Sequence, residues 1–244
     1  MISETTFAKK FTSFWNKTLP NANNYIRLIN GGLIEVLYKP LESASRKQNT
    51  ALVNEVAFDL FRVAIKNNYP SSSIYCKGRF SAIHLKKSLD NSLSYLKRFA
   101  YIEDSLLPLS NQELLQTSDI FLNLYDRYSA ENVNVHPVFS GCGYINQAAG
   151  DIVKDSTLIE IKAGERKFSI YDLRQVLTYL TLNFYSKDQI TINTIEFFNP
   201  RMGIVFNHKV EDLCKNISAL SSFELFSEVY SFITNIDFVN IYGC

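Results

Sequence analysis

The amino-acid sequence predicts a mixed α/β (α+β) fold, with a mixed central sheet flanked by helices and an N-terminal helical extension and insertion. Three observations carry this. Residues 1–130 are dominated by segments with apolar positions at helical spacing. Beyond them the chain turns β-branched and aromatic, punctuated by glycine. The signals of that second half run β, β, β, α, β, β, α, an order that brings strands together in both orientations and lays helices on the sheet.

"ETTFAKKFTSFWNKTL", residues 4–19, reads as an amphipathic helix that stops before Pro20, and "GGLIEVLYKPL", residues 31–41, as a short strand closed by Pro40. "NTALVNEVAFDLFRVAIKNN", residues 49–68, is a strong helix that ends at Tyr69, because Pro70 disfavours helical backbone in the residue before it. It is apolar around most of its circumference. Glu55, Asp59, Arg62 and Lys66 make its one polar stripe, so a mostly buried helix is expected. Residues 81–102 and 110–129 read as two further amphipathic helices, followed by the polar linker "SAENVN". The expected organisation is an extension over 1–48 and a domain over 49–244 carrying a helical insertion at about 71–130.

In the second half, "VNVHPVFSGCGYI" is the first strand region, and "GDIVKDSTLIEIKAG", residues 150–164, is two strands joined by the turn residues "KDST". The helix "KFSIYDLRQVLTYLTLNFYS" follows. Ser169 can cap it, with Asp172 three residues on, and Leu173, Val176, Leu177 and Leu180 form its core stripe. "QITINTIEFFNP" and "MGIVFNHKV" read as two more strands, with one or more terminal helices over 210–233.

With 46% apolar residues in 244, the chain can bury a sizeable core, and no run of eighteen uncharged apolar residues predicts a membrane span. The first thirty residues lack the continuous apolar stretch of a signal peptide, so a cytoplasmic location is expected. Cys76, Cys142, Cys214 and Cys244 lack C-x-x-C spacing, and neither a zinc site nor a disulfide framework is suggested. Net charge is +1, but unevenly spread: residues 39–98 hold eleven Lys and Arg against four acids. Such a segment is either a solvated face or a surface for a polyanion.

The hairpin raises the chemical question. Strands joined by a tight turn are antiparallel neighbours, so Asp151 near the start of one sits nearly opposite Glu160 near the end of the other. Side-chain alternation puts Glu160 and Lys162 on one face and Ile159 and Ile161 on the other. Two converging carboxylates repel and lose hydration, so the arrangement requires a cation, either the lysine alone or a metal ion; hard oxygen donors favour magnesium or manganese over zinc. The bland alternative is an ion-paired hairpin on a solvated face. On the following helix, Gln175 and Tyr179 at i, i+4 lie away from the leucine stripe and form a second, polar edge.

Asp151, then Glu160-Ile161-Lys162, then a helix with Gln175-x-x-x-Tyr179 resembles the PD-(D/E)XK nuclease superfamily, in its RecB-like and lambda-exonuclease-like branches. The resemblance covers about residues 135–208. It implies a restriction-endonuclease-like core of order α-β-β-β-α-β and a metal-dependent nuclease that hydrolyses DNA, with Mg2+ as cofactor and Mn2+ able to substitute. It further implies that Asp151 and Glu160, with the main-chain carbonyl of Ile161, hold the metal. Lys162 would orient the attacking water, and Gln175 and Tyr179 would support the lysine or the DNA. Glu55 is the candidate for the glutamate that the family often carries on the preceding helix. Gly150 stands where the family's name has proline.

Arg79, Lys86, Lys87, Lys97 and Arg98 are candidate DNA contacts on the insertion, and Arg201, in the turn "NPRMG", a candidate phosphate contact. His136, alone before Pro137 at the head of the core strands, is read as structural, with contact to metal or substrate as the alternative, while His84 and His208 lack partners at metal-ligand spacing and receive no role. Two functions follow: an active nuclease working with a gating or targeting protein partner in restriction, phage defence or DNA repair, or a nuclease-fold subunit that binds nucleic acid or a protein without cutting.

Overall fold

The computed structural model describes residues 1–42, 46–98, 107–129 and 132–235. In chain order the helices are α1 (Glu4–Lys10), α2 (Thr12–Thr18), α3 (Ala22–Leu28), α4 (Thr50–Lys66), α5 (Ser71–Ile74), α6 (Ala82–Leu96), α7 (Asn111–Tyr128), α8 (Ile170–Phe184), α9 (Val210–Ser218) and α10 (Ser222–Thr234). The strands are β1 (Glu35–Val36), β2 (Tyr75–Cys76), β3 (Arg79–Phe80), β4 (Val133–Val135), β5 (Val138–Phe139), β6 (Ala148–Ala149), β7 (Ile152–Lys154), β8 (Thr157–Ile161), β9 (Thr194–Asn199) and β10 (Ile204–Lys209).

A six-stranded mixed sheet of order β1-β10-β9-β8-β7-β4 organises the molecule. Only β8 and β9 run parallel, and α8 makes the crossover between them that parallel neighbours require. Alternation along the strands sends two sets of side chains to opposite faces. Val153, Leu158, Ile195, Phe197 and Phe206 pack with Leu173, Val176, Leu177 and Leu180 of α8, and with α1–α3, α9 and α10. Ile152, Ile159, Phe198 and Val205 pack with α4 and α7. As expected, α4 is mostly buried: Leu52, Val53, Val56, Leu60 and Phe61 are almost fully enclosed. Each such side chain contributes up to about 1.5–3 kcal/mol as an upper estimate.

Residues 1–42 are continuous with this body rather than an extension. Phe7, Phe11 and Trp15 share the core of α8, and β1 adds an edge to the sheet beside β10. The helix expected over 4–19 is broken at Phe11, whose ψ of 46° interrupts it and yields α1 and α2. The strand expected over 31–41 shrinks to Glu35–Val36, because the chain first makes a π-helical turn, Ile29–Leu33, containing both glycines. A hairpin of β2 and β3 was not anticipated. Its tip is Lys77-Gly78, both with positive φ, the conformation of a tight two-residue hairpin turn. Part of the linker "SAENVN", the end of the helix expected over 81–102, and Cys244 lie outside the described residues. Cys76, Cys142 and Cys214 are free thiols. Among the described residues, no helix is long and apolar enough to cross a membrane.

Candidate active site

The hairpin of β7 and β8 turns through Asp155 and Ser156, with Asp155 at φ 52°, and registers Ile152 with Ile159. One rung further on, Asp151 stands at the level of Glu160. There the ladder gives way to a side chain: Asp151 Oδ2 accepts the Ile161 N–H at 2.7 Å, which fixes the carboxylate over the end of β8. The His136 N–H donates to the Asp151 carbonyl at 2.8 Å and holds the same residue from behind. Gly150 has its own reason to lack a side chain. A Cβ there would meet Phe139 at 3.1 Å and Leu158 at 3.3 Å, both buried, while its N–H donates to the Pro137 carbonyl at 3.0 Å, a bond that proline could not make.

Leu158, Glu160 and Lys162 face α8. The Lys162 N–H donates to the Phe198 carbonyl at 2.8 Å, so the strand's alternation persists through the lysine. Lys162 Nζ donates to Glu160 Oε1 at 2.7 Å and to Gln175 Oε1 at 2.8 Å, and lies 3.7 Å from Asp172 Oδ1. Gln175 Nε2 in turn donates to the Tyr179 hydroxyl at 2.8 Å, and the Tyr179 ring stacks on Phe139. The helix delivers these groups because Gln175, Tyr179 and Asp172 rise from one side of α8 as the leucine stripe enters the core. Asp151, Glu160, Lys162, Gln175 and Tyr179 are thus brought to one place.

Their charges are strained in a specific way. Burial, then repulsion from Asp151, raises the pKa of Glu160, and the nearby Lys162 only partly offsets this. Burial raises that of Asp151 too, with Lys162 and the Ile161 N–H opposing. Burial alone would discharge Lys162, yet Glu160, Asp172 and Asp151 together hold its pKa above the usual lysine value. Burial acts on Asp172 as well, but Arg166, Lys162 and the Ser169 N–H outweigh it and keep this carboxylate below its usual range. Glu160 is 3% exposed, and its Oε2 has no hydrogen-bond partner. Buried acceptors are ordinarily satisfied, so this oxygen is an unmet acceptor that carries a desolvation cost.

Glu55 occupies α4, half-buried, where burial raises its pKa while Arg62 lowers it and Asp59 raises it. Its charge adds, as the smallest of the causes, to the rise in the Asp151 pKa. It does not complete a ligand ring: among the described residues, no three or more His, Cys, Asp or Glu side chains gather at metal-holding spacing. The hard oxygens that do converge are those of the Asp151 and Glu160 carboxylates. In donor chemistry this pair, with Oε2 unsatisfied, is of the kind that magnesium or manganese takes.

No protein-family model matches this chain, and no curated protein matches it. What the site can do follows from its side chains and their surroundings. Beside Lys162 lies a cavity of about 610 Å³ lined by Lys9, Arg166, Ser169, Tyr171, Asp172 and Gln175. Asp172 and Arg166 were not anticipated as members of the site. Asp172 was read only as a cap, a role it does perform in a capping box with Ser169. It also binds Arg166 through both oxygens, at 2.6 and 2.8 Å.

Arg79, Lys86, Lys87, Lys97 and Arg98 are exposed along β3 and α6. A helix of this length spans about 22 Å. Burial, then the charges of Glu55, Asp151 and Glu4, raises the Tyr95 pKa, and Arg98 opposes them. Arg201 corrects an expectation. It is 1% exposed and donates to the Ala163 carbonyl at 3.0 Å, Gln116 Oε1 at 3.1 Å and Asn54 Oδ1 at 2.9 Å. It fastens the loop after Lys162 to α4 and α7 and is not available to a phosphate. The turn itself lies between β9 and β10, as the sequence indicates.

Proposed function

We propose that this chain is a magnesium- or manganese-dependent nuclease that hydrolyses phosphodiester bonds in DNA on a restriction-endonuclease-like core. The order α4, β4, β7, β8, α8, β9, with β8 and β9 parallel, supports that reading, because it follows the α-β-β-β-α-β arrangement implied by the PD-(D/E)XK resemblance. The observation that carries it is the pairing of a fixed Asp151 and a half-satisfied, buried Glu160 with a charged Lys162.

A divalent ion at Asp151 and Glu160 would withdraw charge from the phosphate and acidify an attacking water. The chain's own groups do the rest. Asp151 and Glu160 supply the negative charge that retains the ion. Lys162 donates where negative charge develops, in a site dry enough for that donation to count. Gln175 accepts from Lys162 and restrains its ammonium, and Tyr179 restrains Gln175. The exposed cations of β3 and α6 offer the DNA backbone a path along one flank, since each neutralised phosphate releases counterions. The expected setting is restriction, phage defence or DNA repair beside a protein partner that gates the activity.

The absence of a third gathered carboxylate among the described residues favours a second reading, a non-cutting subunit that binds nucleic acid or a protein on the same surface. Cleavage of a DNA panel in Mg2+ and Mn2+ decides between them. Lys162→Ala is expected to lower the rate by about 10²–10³-fold, and Asp151→Asn to abolish it. Parent protein that binds DNA and leaves every substrate intact would establish the second reading.

A further inference from the structure

Gln175 is the hub between Lys162 and the rest of the site, and an amide works as a hub only if its orientation is fixed. Its oxygen can only accept and its NH2 can only donate. Lys162 is a pure donor, so the oxygen must face it, and the NH2 must find acceptors on the other side. Tyr179 is an ambiguous one, because a hydroxyl both donates and accepts. Glu4 is not ambiguous: its Oε1 lies 3.4 Å from Gln175 Nε2 and can only accept when ionised.

Glu4 comes from the opposite end of the chain, and it is held there by the fold. The Ile2 N–H donates to the Tyr144 carbonyl at 2.8 Å, and the Asn146 N–H returns to the Ile2 carbonyl at 2.9 Å. Ser3 caps α1 through the Thr6 N–H, and Phe7 and Ala8 are buried on the next turn. Arg174 of α8 donates to the Ala8 carbonyl at 3.3 Å and so ties the two helices together. Thr5 Oγ1 donates to the same Glu4 oxygen at 2.9 Å, which leaves the carboxylate few rotamers.

We propose that Glu4 is a positioning residue for Lys162, acting through the Gln175 amide, so that the N-terminal helix is a working part of the site. The inference rests on the nuclease reading for its kinetic consequence, but its structural link does not need catalysis. The Glu4 side chain sets the amide, the amide sets the ammonium, and the ammonium sets the water and Glu160.

The test uses the full chain with Glu4→Ala and Glu4→Gln, the latter retaining an acceptor oxygen. Two readouts are taken: steady-state cleavage in Mn2+, and metal-free competitive labelling of Lys162 by an amine reagent, read by peptide mass spectrometry. Glu4→Ala is expected to lower kcat about tenfold with KM little changed, to speed Lys162 labelling severalfold, and to unfold at the parent's temperature. Glu4→Gln is expected to restore most of both. Unchanged labelling in Glu4→Ala overturns the proposal, as does equal damage from Ala and Gln accompanied by lost thermal stability. A parent protein that cuts nothing would defeat the nuclease reading alone, because labelling still reports whether Glu4 governs Lys162.

Discussion

A carboxylate as enclosed as Glu160, with one oxygen on Lys162 and the other on nothing, is a cost that the fold carries when no cation is bound. Glu160 and Asp151 both have pKa values raised by burial, so the folded protein holds their protons more tightly than the unfolded chain does. The sign follows by linkage. Their contribution to stability is most favourable below the ordinary carboxylate range and declines as pH rises from there through the raised folded values. An ion that binds the ionised pair reverses that trend, stabilising by about 2.7 kcal/mol at a hundred times its Kd. Metal-free Glu160→Gln is therefore expected to melt at or above the parent temperature at about pH 8, the difference shrinking at about pH 4. Added Mn2+ is expected to raise the parent's melting temperature at the higher pH and to leave the variant nearly unmoved. Thermal scans in chelator and in Mn2+ at both pH values check this. Residue types and spacing made Asp151, Glu160, Lys162, Gln175 and Tyr179 legible in the sequence, because a two-residue period and a helical turn dictate which side chains share a face. Arg201 misled, because a turn arginine looks the same in sequence whether it meets solvent or the carbonyls beneath it.

Among the elements, the β7–β8 hairpin and α8 do most to place the site, and both were predictable from local signals: alternation, turn residues, a Ser169–Asp172 cap. Less so were α1 and the hairpin of β2 and β3. The break at Phe11 is imposed by packing of Phe7, Phe11 and Trp15 in the shared core, which no local propensity reports. The strand at β1 is short because the π-helical turn over Ile29–Leu33 takes up the residues before it, a form that local propensity does not announce. Gly150 sits between these elements. Its missing Cβ lets Phe139 and Leu158 close over the backbone that presents Asp151. Gly150→Ala must push both buried neighbours apart by a few tenths of an ångström. Overpacking exceeds the gain in chain stiffness, and the expected net cost is about 1 kcal/mol. Chemical denaturation checks the value, and a stabilised variant would show that the pocket yields easily.

At the scale of the molecule, the sheet separates two bodies of helices, with the candidate site where β7 begins and β8 ends beneath α8. The mixed α/β sheet flanked by helices was legible because its element order was. The division into extension and domain was not, since the first forty residues enter the core through contacts with a helix some 160 positions away. That distance also hid Glu4. Cations of β3 and α6 are exposed, and the net charge of +1 conceals how unevenly charge is spread along the chain. All of this turns on whether a divalent ion is held between Asp151 and Glu160. The direct measurement is a crystal soaked in Mn2+ and recorded at the manganese absorption edge. The account predicts one anomalous peak touching both carboxylates, lost in Asp151→Asn. A well-ordered site with both carboxylates resolved and no peak between them would contradict it.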